Sequence, residues 1–340
     1  MSPALPLHTL SLGLFCLLAR EGWWCAAAAV TDVGSTCGDG VNSLTCEAAD
    51  SKSVAARAAS LDTLMAAPGT EGGLSECEFR TVRYADPDAA AVLAEHLHRN
   101  IPLRIVDVPE SQQPQLSDQV LRVAAGHRTV QLREITTKGF VPKGGKQLNA
   151  TLAEALADGG KLAADWYAAQ LSVPKELPEL QQILRSPDVG SSWADGAGKL
   201  LNGSPYIYYY GGRTDNQSSP GPGPTLYIHY DAAENLVQVV DGWKEFFLYD
   251  PFQAASLLYG SNDEYGNASP VDVDSPNASK DFPLFRFALP RRCVVKSSQW
   301  LYVPLFWWHR VKNAMGRTVS VVHFHRGDRD KKGFFDKIMC

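Results

Sequence analysis

From Pro205 onward the chain is a succession of short aromatic or β-branched runs, with Gly, Pro, Asn and Asp between them. The runs are Tyr206–Tyr210, Thr225–Tyr230, Leu236–Val240, Glu245–Tyr249, Arg292–Val295, Trp300–Val303 and Thr318–Phe324. Side chains in such runs alternate between two faces, and many short strands broken by turn residues predict a sandwich or barrel.

Upstream, residues 77–204 have another texture. Phe79–Tyr84 alternates like a strand, Asp88–His98 is Ala/Leu-rich and helical, and Ile101–Val106 returns to strand character. Ser117 is placed to N-cap a helix running through Ala125, and Thr129–Glu134 alternates again. Thr151 to Ala169 and Pro178 to Leu184 read as helices. Helices first and strands afterwards predict an α+β fold with a C-terminal barrel over 205–326. Residues 30–76, rich in Ala, Gly, Ser and Thr without periodicity, read as disordered linker, and 327–340 as a short tail.

The first 29 residues read as a signal peptide. Leu10–Ala19 is an apolar run of suitable length, and Ala26–Ala29 offers small residues for cleavage. No Lys or Arg precedes the run and Arg20-Glu21 interrupts it, so a disordered apolar N-terminus is the competing reading. The run is too short for a membrane span. Five of the ten Asn residues, Asn149, Asn202, Asn216, Asn267 and Asn277, stand in N-glycosylation acceptor sequences. Pro205 and Pro270 follow two of these directly and make them poor sites. The expected compartment is the endoplasmic reticulum lumen or the exterior, with cytoplasm or nucleus as the alternative. Of seven cysteines, Cys16 and Cys25 would leave with the leader, and Cys37 and Cys46 can form a small loop. Without CxxC or zinc spacing, the set reads as incidental or disulfide cysteines.

Two separated segments carry the chemistry. In Thr225-Leu-Tyr-Ile-His-Tyr-Asp231, a strand would point His229 and Asp231 to one face, with Thr225 and Tyr227 beside them. An imidazole and a carboxylate are two thirds of the facial triad of non-haem Fe(II) oxygenases. Alone, His-x-Asp is matched by any satisfied strand histidine. His309, within the aromatic wall Trp300-Leu-Tyr-Val-Pro-Leu-Phe-Trp-Trp-His309, supplies the third ligand.

These segments resemble the JmjC-domain hydroxylases, cupin-like Fe(II)- and 2-oxoglutarate-dependent enzymes, and among them the small hydroxylases such as the tRNA-wybutosine hydroxylase. His229-Tyr-Asp-Ala-Ala-Glu-Asn235, Gln238-Val-Val-Asp-Gly-Trp-Lys244 and Leu248-Tyr-Asp-Pro251 look like the first signature block. Asp281-Phe-Pro-Leu-Phe285, Arg292-Cys-Val-Val295, Leu301-Tyr-Val-Pro304 and Trp307-Trp-His309-Arg-Val-Lys-Asn313 look like the second. The resemblance implies a double-stranded β-helix (jelly roll) with N-terminal helices packed around it. It also implies Fe(II) on His229, Asp231 and His309, with Lys244 pairing the distal carboxylate of 2-oxoglutarate. Asn235 matches a residue that helps hold the co-substrate. Thr225 is a candidate hydroxyl contact displaced by one residue from the family's, and Tyr208 or Tyr210 can supply a phenol. His323 stands where relatives often carry a pocket Asn, and is otherwise a buried strand histidine. Ser298-Gln299 replaces the family's Gly-Asp turn.

The implied reaction couples O₂ and oxidative decarboxylation of 2-oxoglutarate to hydroxylation of a C–H bond. A protein side chain is the preferred substrate, because a net charge of −5 lacks the basic footprint of a nucleic-acid enzyme. A tRNA-base hydroxylase and a non-catalytic cupin-type binding protein that retains the metal site remain open. A monomer is the expected state.

Overall fold

A computed structural model of the chain describes residues 17–19, 22–24 and 77–326, the last with gaps at 137–138, 158–159, 164, 185–192, 213–222, 252–265 and 315. Leu17–Ala19 and Gly22–Trp24 pair as a short antiparallel hairpin in a unit of its own. The remainder of the expected leader, the expected linker, the tail from 327, Cys37, Cys46 and Asn216 lie outside the described residues.

The body opens with β1 (Thr81–Arg83), helix α1 (Ala89–Arg99) and β2 (Leu103–Val106). Helix α2 (Asp118–Ala125) starts where its cap predicts, the Ser117 hydroxyl accepting the Val120 N–H at 3.1 Å. There follow β3 (Thr129–Glu134), β4 (Phe140–Val141), β5 (Gln147–Thr151), the single turn α3 (Leu152–Ala155) and β6 (Trp166–Ser172). The helix expected over 151–169 is therefore replaced by one capped turn and a strand. Thr151 and Glu154 do form a reciprocal capping box, but Gly159-Gly160 ends the Ala-rich stretch. Strand β6 escaped notice because a bulge between Ala168 and Leu171, with Gln170 at φ 59°, spoils its alternation. Likewise Pro178–Leu184 forms only a 3₁₀ turn, Pro178–Gln181.

The barrel region matches expectation more closely: β7 (Ser204–Tyr210), β8 (Thr225–Leu226), β9 (Glu234–Asp241), β10 (Trp243–Tyr249), β11 (Arg291–Lys296), β12 (Gln299–Val303), β13 (Trp308–Asn313) and β14 (Thr318–His325). A large sheet runs in the order β1-β2-β12-β9-β14-β7-β6-β3-β5, and a small one in the order β11-β10-β13-β8-β4. This is a jelly-roll sandwich of the cupin kind, in which strands from the N-terminal part extend both sheets. Gly242, at φ 70°, passes the chain from β9 in the large sheet to β10 in the small one; a Cβ there would lie 2.4 Å from the Arg317 carbonyl oxygen. Consecutive strands thus deliver side chains to one cleft from both walls.

Cys77 and Cys293 form a disulfide across 216 residues. The Glu78 N–H donates to the Arg292 carbonyl at 2.8 Å, and the Arg292 N–H to the Glu78 carboxylate at 2.7 Å. The first residues of the body therefore cover the outer edge of β11, which among the described strands pairs otherwise with β10 alone.

Candidate metal centre

His229 and His309 face each other across two strands. Each N–H donates to the other's carbonyl, at 3.0 and 2.6 Å, which places both side chains on one face with ring centroids 4.3 Å apart. Asp231, two residues on, shares that face. Its carboxylate lies 3.5 Å from His309 Nε2, and one ligand atom from each of the three residues falls within 4.8 Å of the others. No other group of three or more such residues occurs among the described residues.

The tautomers follow from the backbone. His229 Nδ1 lies 3.0 Å from the Tyr227 carbonyl oxygen and His309 Nδ1 2.9 Å from that of Trp307. A carbonyl can only accept, so both Nδ1 atoms carry the proton and both Nε2 lone pairs are free. Burial, reinforced by the neighbouring His229, lowers the pKa of His309 and keeps its ring neutral. Two imidazole lone pairs and a carboxylate converge with no hydrogen between them, a donor set that suits a divalent cation.

The supporting backbone is strained. Phe306 adopts φ 63°, costly for a bulky residue. Its N–H donates to the Asp231 carbonyl at 3.0 Å, while the Asn100 amide donates to the Leu305 carbonyl and Trp307 Nε1 to the Asn100 carbonyl. Asn100, which ends α1 in a left-handed conformation, thus holds the turn that aims His309. Sequence reasoning passed over it; an Asn closing a helix was its only signal.

Of the two expected neighbours, Tyr227 keeps its ring against that of His229, with centroids 5.0 Å apart, and Thr225 turns away. Strand pairing lapses between Leu226 and His229, so the two-residue period does not carry across, and Leu226 lines the cleft in place of Thr225 and Tyr227. The Thr225 hydroxyl turns back to the Gly223 carbonyl at 3.4 Å, and Tyr227 contributes its carbonyl to His229. Asn235 does line the cleft, where its amide donates to Asp231 Oδ2 at 2.6 Å. It holds the carboxylate directly.

The cleft, partly open to solvent, has Lys244 among its lining residues. This ammonium is buried, donates to the Tyr167 hydroxyl at 3.3 Å and lies 5.0 Å from the centre of the Tyr208 ring. Among the described residues no carboxylate pairs with Lys244, and burial brings its pKa down to about 7. A buried cation without a counter-ion is a receptor for an anion. Tyr208, not Tyr210, is the cleft phenol. Tyr167 was missed because its strand was read as helix.

His323 does not reach the co-substrate region. Asn235 pairs with Phe324 and Val237 with Val322, so those residues face the cleft and His323 points to the opposite side. There its Nε2 lies 3.1 Å from Gln238 Oε1, and burial lowers its pKa to about 4.

Comparison with known proteins agrees with this geometry. The family described as a cupin-like domain matches residues 110–331, more than half of the chain, and the chain belongs to that family, the one that includes the JmjC hydroxylases. Lysine-specific demethylase 8 of Xenopus tropicalis is 31% identical over 149 residues, 43% of this chain and 30% of that protein. tRNA wybutosine-synthesizing protein 5 of Mus musculus is 36% identical over 91 residues, 26% of this chain and 27% of that protein. Lysine-specific demethylase JMJ30 of Arabidopsis thaliana is 26% identical over 207 residues, 59% of this chain and 44% of that protein. The chain therefore spans less than half the length of these relatives.

Proposed function

We propose that this protein is an Fe(II)- and 2-oxoglutarate-dependent oxygenase that hydroxylates a C–H bond of a protein side chain. The observation that carries the reading is the pairing, in one cleft, of a two-histidine, one-carboxylate donor set with a buried lysine that lacks a counter-ion. His229, Asp231 and His309 would hold the metal, and three ligands on one face leave positions open for other groups. Iron with 2-oxoglutarate would supply oxidation of a C–H bond by O₂, with succinate and CO₂ released. The protein's own residues bind and orient. Lys244 would neutralise the distal carboxylate, Asn235 fixes Asp231, and Val237, Phe246, Val311 and Val322 line the cleft with apolar surface.

A polypeptide substrate is favoured by charge. At a net −5 the chain carries no overall excess of basic residues to gather RNA phosphates. A secretory compartment is favoured by the Cys77–Cys293 bond, since thiols of cytosolic proteins stay reduced. No helix among the described residues is long and apolar enough to cross a membrane.

Anaerobic addition of Fe(II) and 2-oxoglutarate should produce a weak visible charge-transfer band. Its absence in the wild-type protein, or its persistence in His229→Ala, overturns the oxygenase reading.

A further inference from the structure

The fold treats its Asn-X-Ser/Thr sequences differently. Asn149 is exposed on β5, the last strand of the large sheet, which pairs only with β3 among the described strands. No described strand pairs with its outer side, and such an edge is one on which another chain can add a strand. Asn277 is exposed ahead of the one-turn helix Ala278–Asp281, and Ser279 is exposed with it.

Asn267 is held inside the structure. Its Nδ2, the atom a glycan would occupy, donates to the Tyr230 carbonyl at 2.7 Å. Ser269 is buried, its hydroxyl accepting the Val271 N–H, and the intervening Ala268 forms a bridge with His229 itself. A sugar at Asn267 would pull this segment off the candidate metal centre. Asn202 is exposed, but its Ser204 opens β7 and Pro205 fixes the backbone directly after it.

We propose that the folded, exported protein carries N-glycans at Asn149 and Asn277 and none at Asn202 or Asn267, and that the Asn149 glycan covers the open edge of the large sheet. The inference rests on the secretory reading above. Transfer forms a bond between the anomeric carbon of the sugar and the Asn amide nitrogen, and breaks the bond from that carbon to a polyprenyl diphosphate donor. The amide proton leaves and the diphosphate departs with the electron pair. Because transfer acts on the extended chain, the fold decides which glycosylated chains survive to the native state. The Thr151 hydroxyl, later engaged with Glu154, is free at that stage.

The full chain, expressed with its own N-terminus in cultured animal cells, should be purified and treated with peptide N-glycosidase in ¹⁸O water. Peptide mapping should then find ¹⁸O-labelled Asp at 149 and 277, unlabelled Asn at 202 and 267, and Cys77 linked to Cys293. An intact Cys77–Cys293 link without label at 149 or 277, or with label at 267, overturns the site assignment. Free thiols at both cysteines and no glycan anywhere overturn the compartment on which it rests. On heating, Asn149→Gln should aggregate several-fold faster than wild type by light scattering, with Asn277→Gln close to wild type. Equal behaviour of the two variants overturns the edge-covering role.

Discussion

Strands β9 and β14 present buried polar side chains on both faces, and the two faces differ in how those groups are satisfied. On the outer face His323 is 2% exposed, and its Nε2 is matched to Gln238 Oε1 at 3.1 Å. On the cleft side Asn235 looks across to His309, itself 5% exposed, whose Nε2 meets the Asp231 carboxylate at 3.5 Å with another bare imidazole beside it. Depth of burial does not separate the two histidines. What separates them is charge: the outer pair is two neutral groups joined by one hydrogen bond, whereas the cleft gathers acceptors at one place and an unneutralised ammonium at another. A ligand would correct each imbalance, a cation in the first case and an anion in the second.

The largest effect expected from breaking the cleft side is His229→Ala. Iron binding and co-substrate turnover should fall to background, since two remaining ligands do not hold the metal. The variant should still melt within a few degrees of the apo wild type by circular dichroism. A folded His229→Ala protein that still turns over 2-oxoglutarate would show that the three residues are not the donor set.

Lys244→Met should weaken 2-oxoglutarate binding by roughly a hundredfold, about 3 kcal/mol, as expected when one partner of a buried charge pair is removed. Stability of the apo protein should move the opposite way, because an unpaired buried ammonium is replaced by an apolar chain. The sign with pH follows from a lysine whose pKa is brought down to about 7. Above that pH the free protein holds Lys244 largely neutral, and a bound carboxylate draws the proton back. Calorimetry at pH 8 in buffers of different ionisation enthalpy should therefore register proton uptake on binding, and Lys244→Met should abolish it.

Asn235→Ala should reduce iron affinity by about 10–100-fold, the usual consequence of freeing a ligand carboxylate from its outer-shell donor. Loss of 2-oxoglutarate affinity at unchanged iron affinity would instead assign Asn235 to the co-substrate.

The candidate ligands are legible because His-x-Asp and a histidine within an aromatic wall bring their own spacing. Lys244 was legible through resemblance, which a turn at Gly242 makes physically sensible. The faces were less so. Thr225 and Tyr227 were assigned to the cleft on a two-residue period that lapses before His229, and His323 on an alignment one residue away from Phe324. In a strand a shift of one residue exchanges inside for outside. Tyr167 was hidden by a bulge, and Asn100 acts from 205 residues away in sequence, a distance no local pattern spans. The partner of Cys293 was equally invisible, because connectivity follows from which edge Cys77 covers.

The smallest predicted effect, at the outer face, most sharply tests the contrast between the histidines. His323 has a folded-state pKa of about 4 against an unfolded value near 6.5. The unfolded chain therefore takes up a proton that the folded one refuses, and the stability this histidine contributes is complete above pH 6.5 and is lost as pH falls towards 4. The slope from this one group is a little over 1 kcal/mol per pH unit. His323→Gln should flatten that part of the profile in urea melts between pH 6.5 and 4, and leave iron and 2-oxoglutarate affinity at neutral pH within twofold of wild type. If iron affinity fell instead by tenfold or more in a protein that melts normally, His323 would belong to the cleft after all, and the division between the two faces of β14 would be wrong.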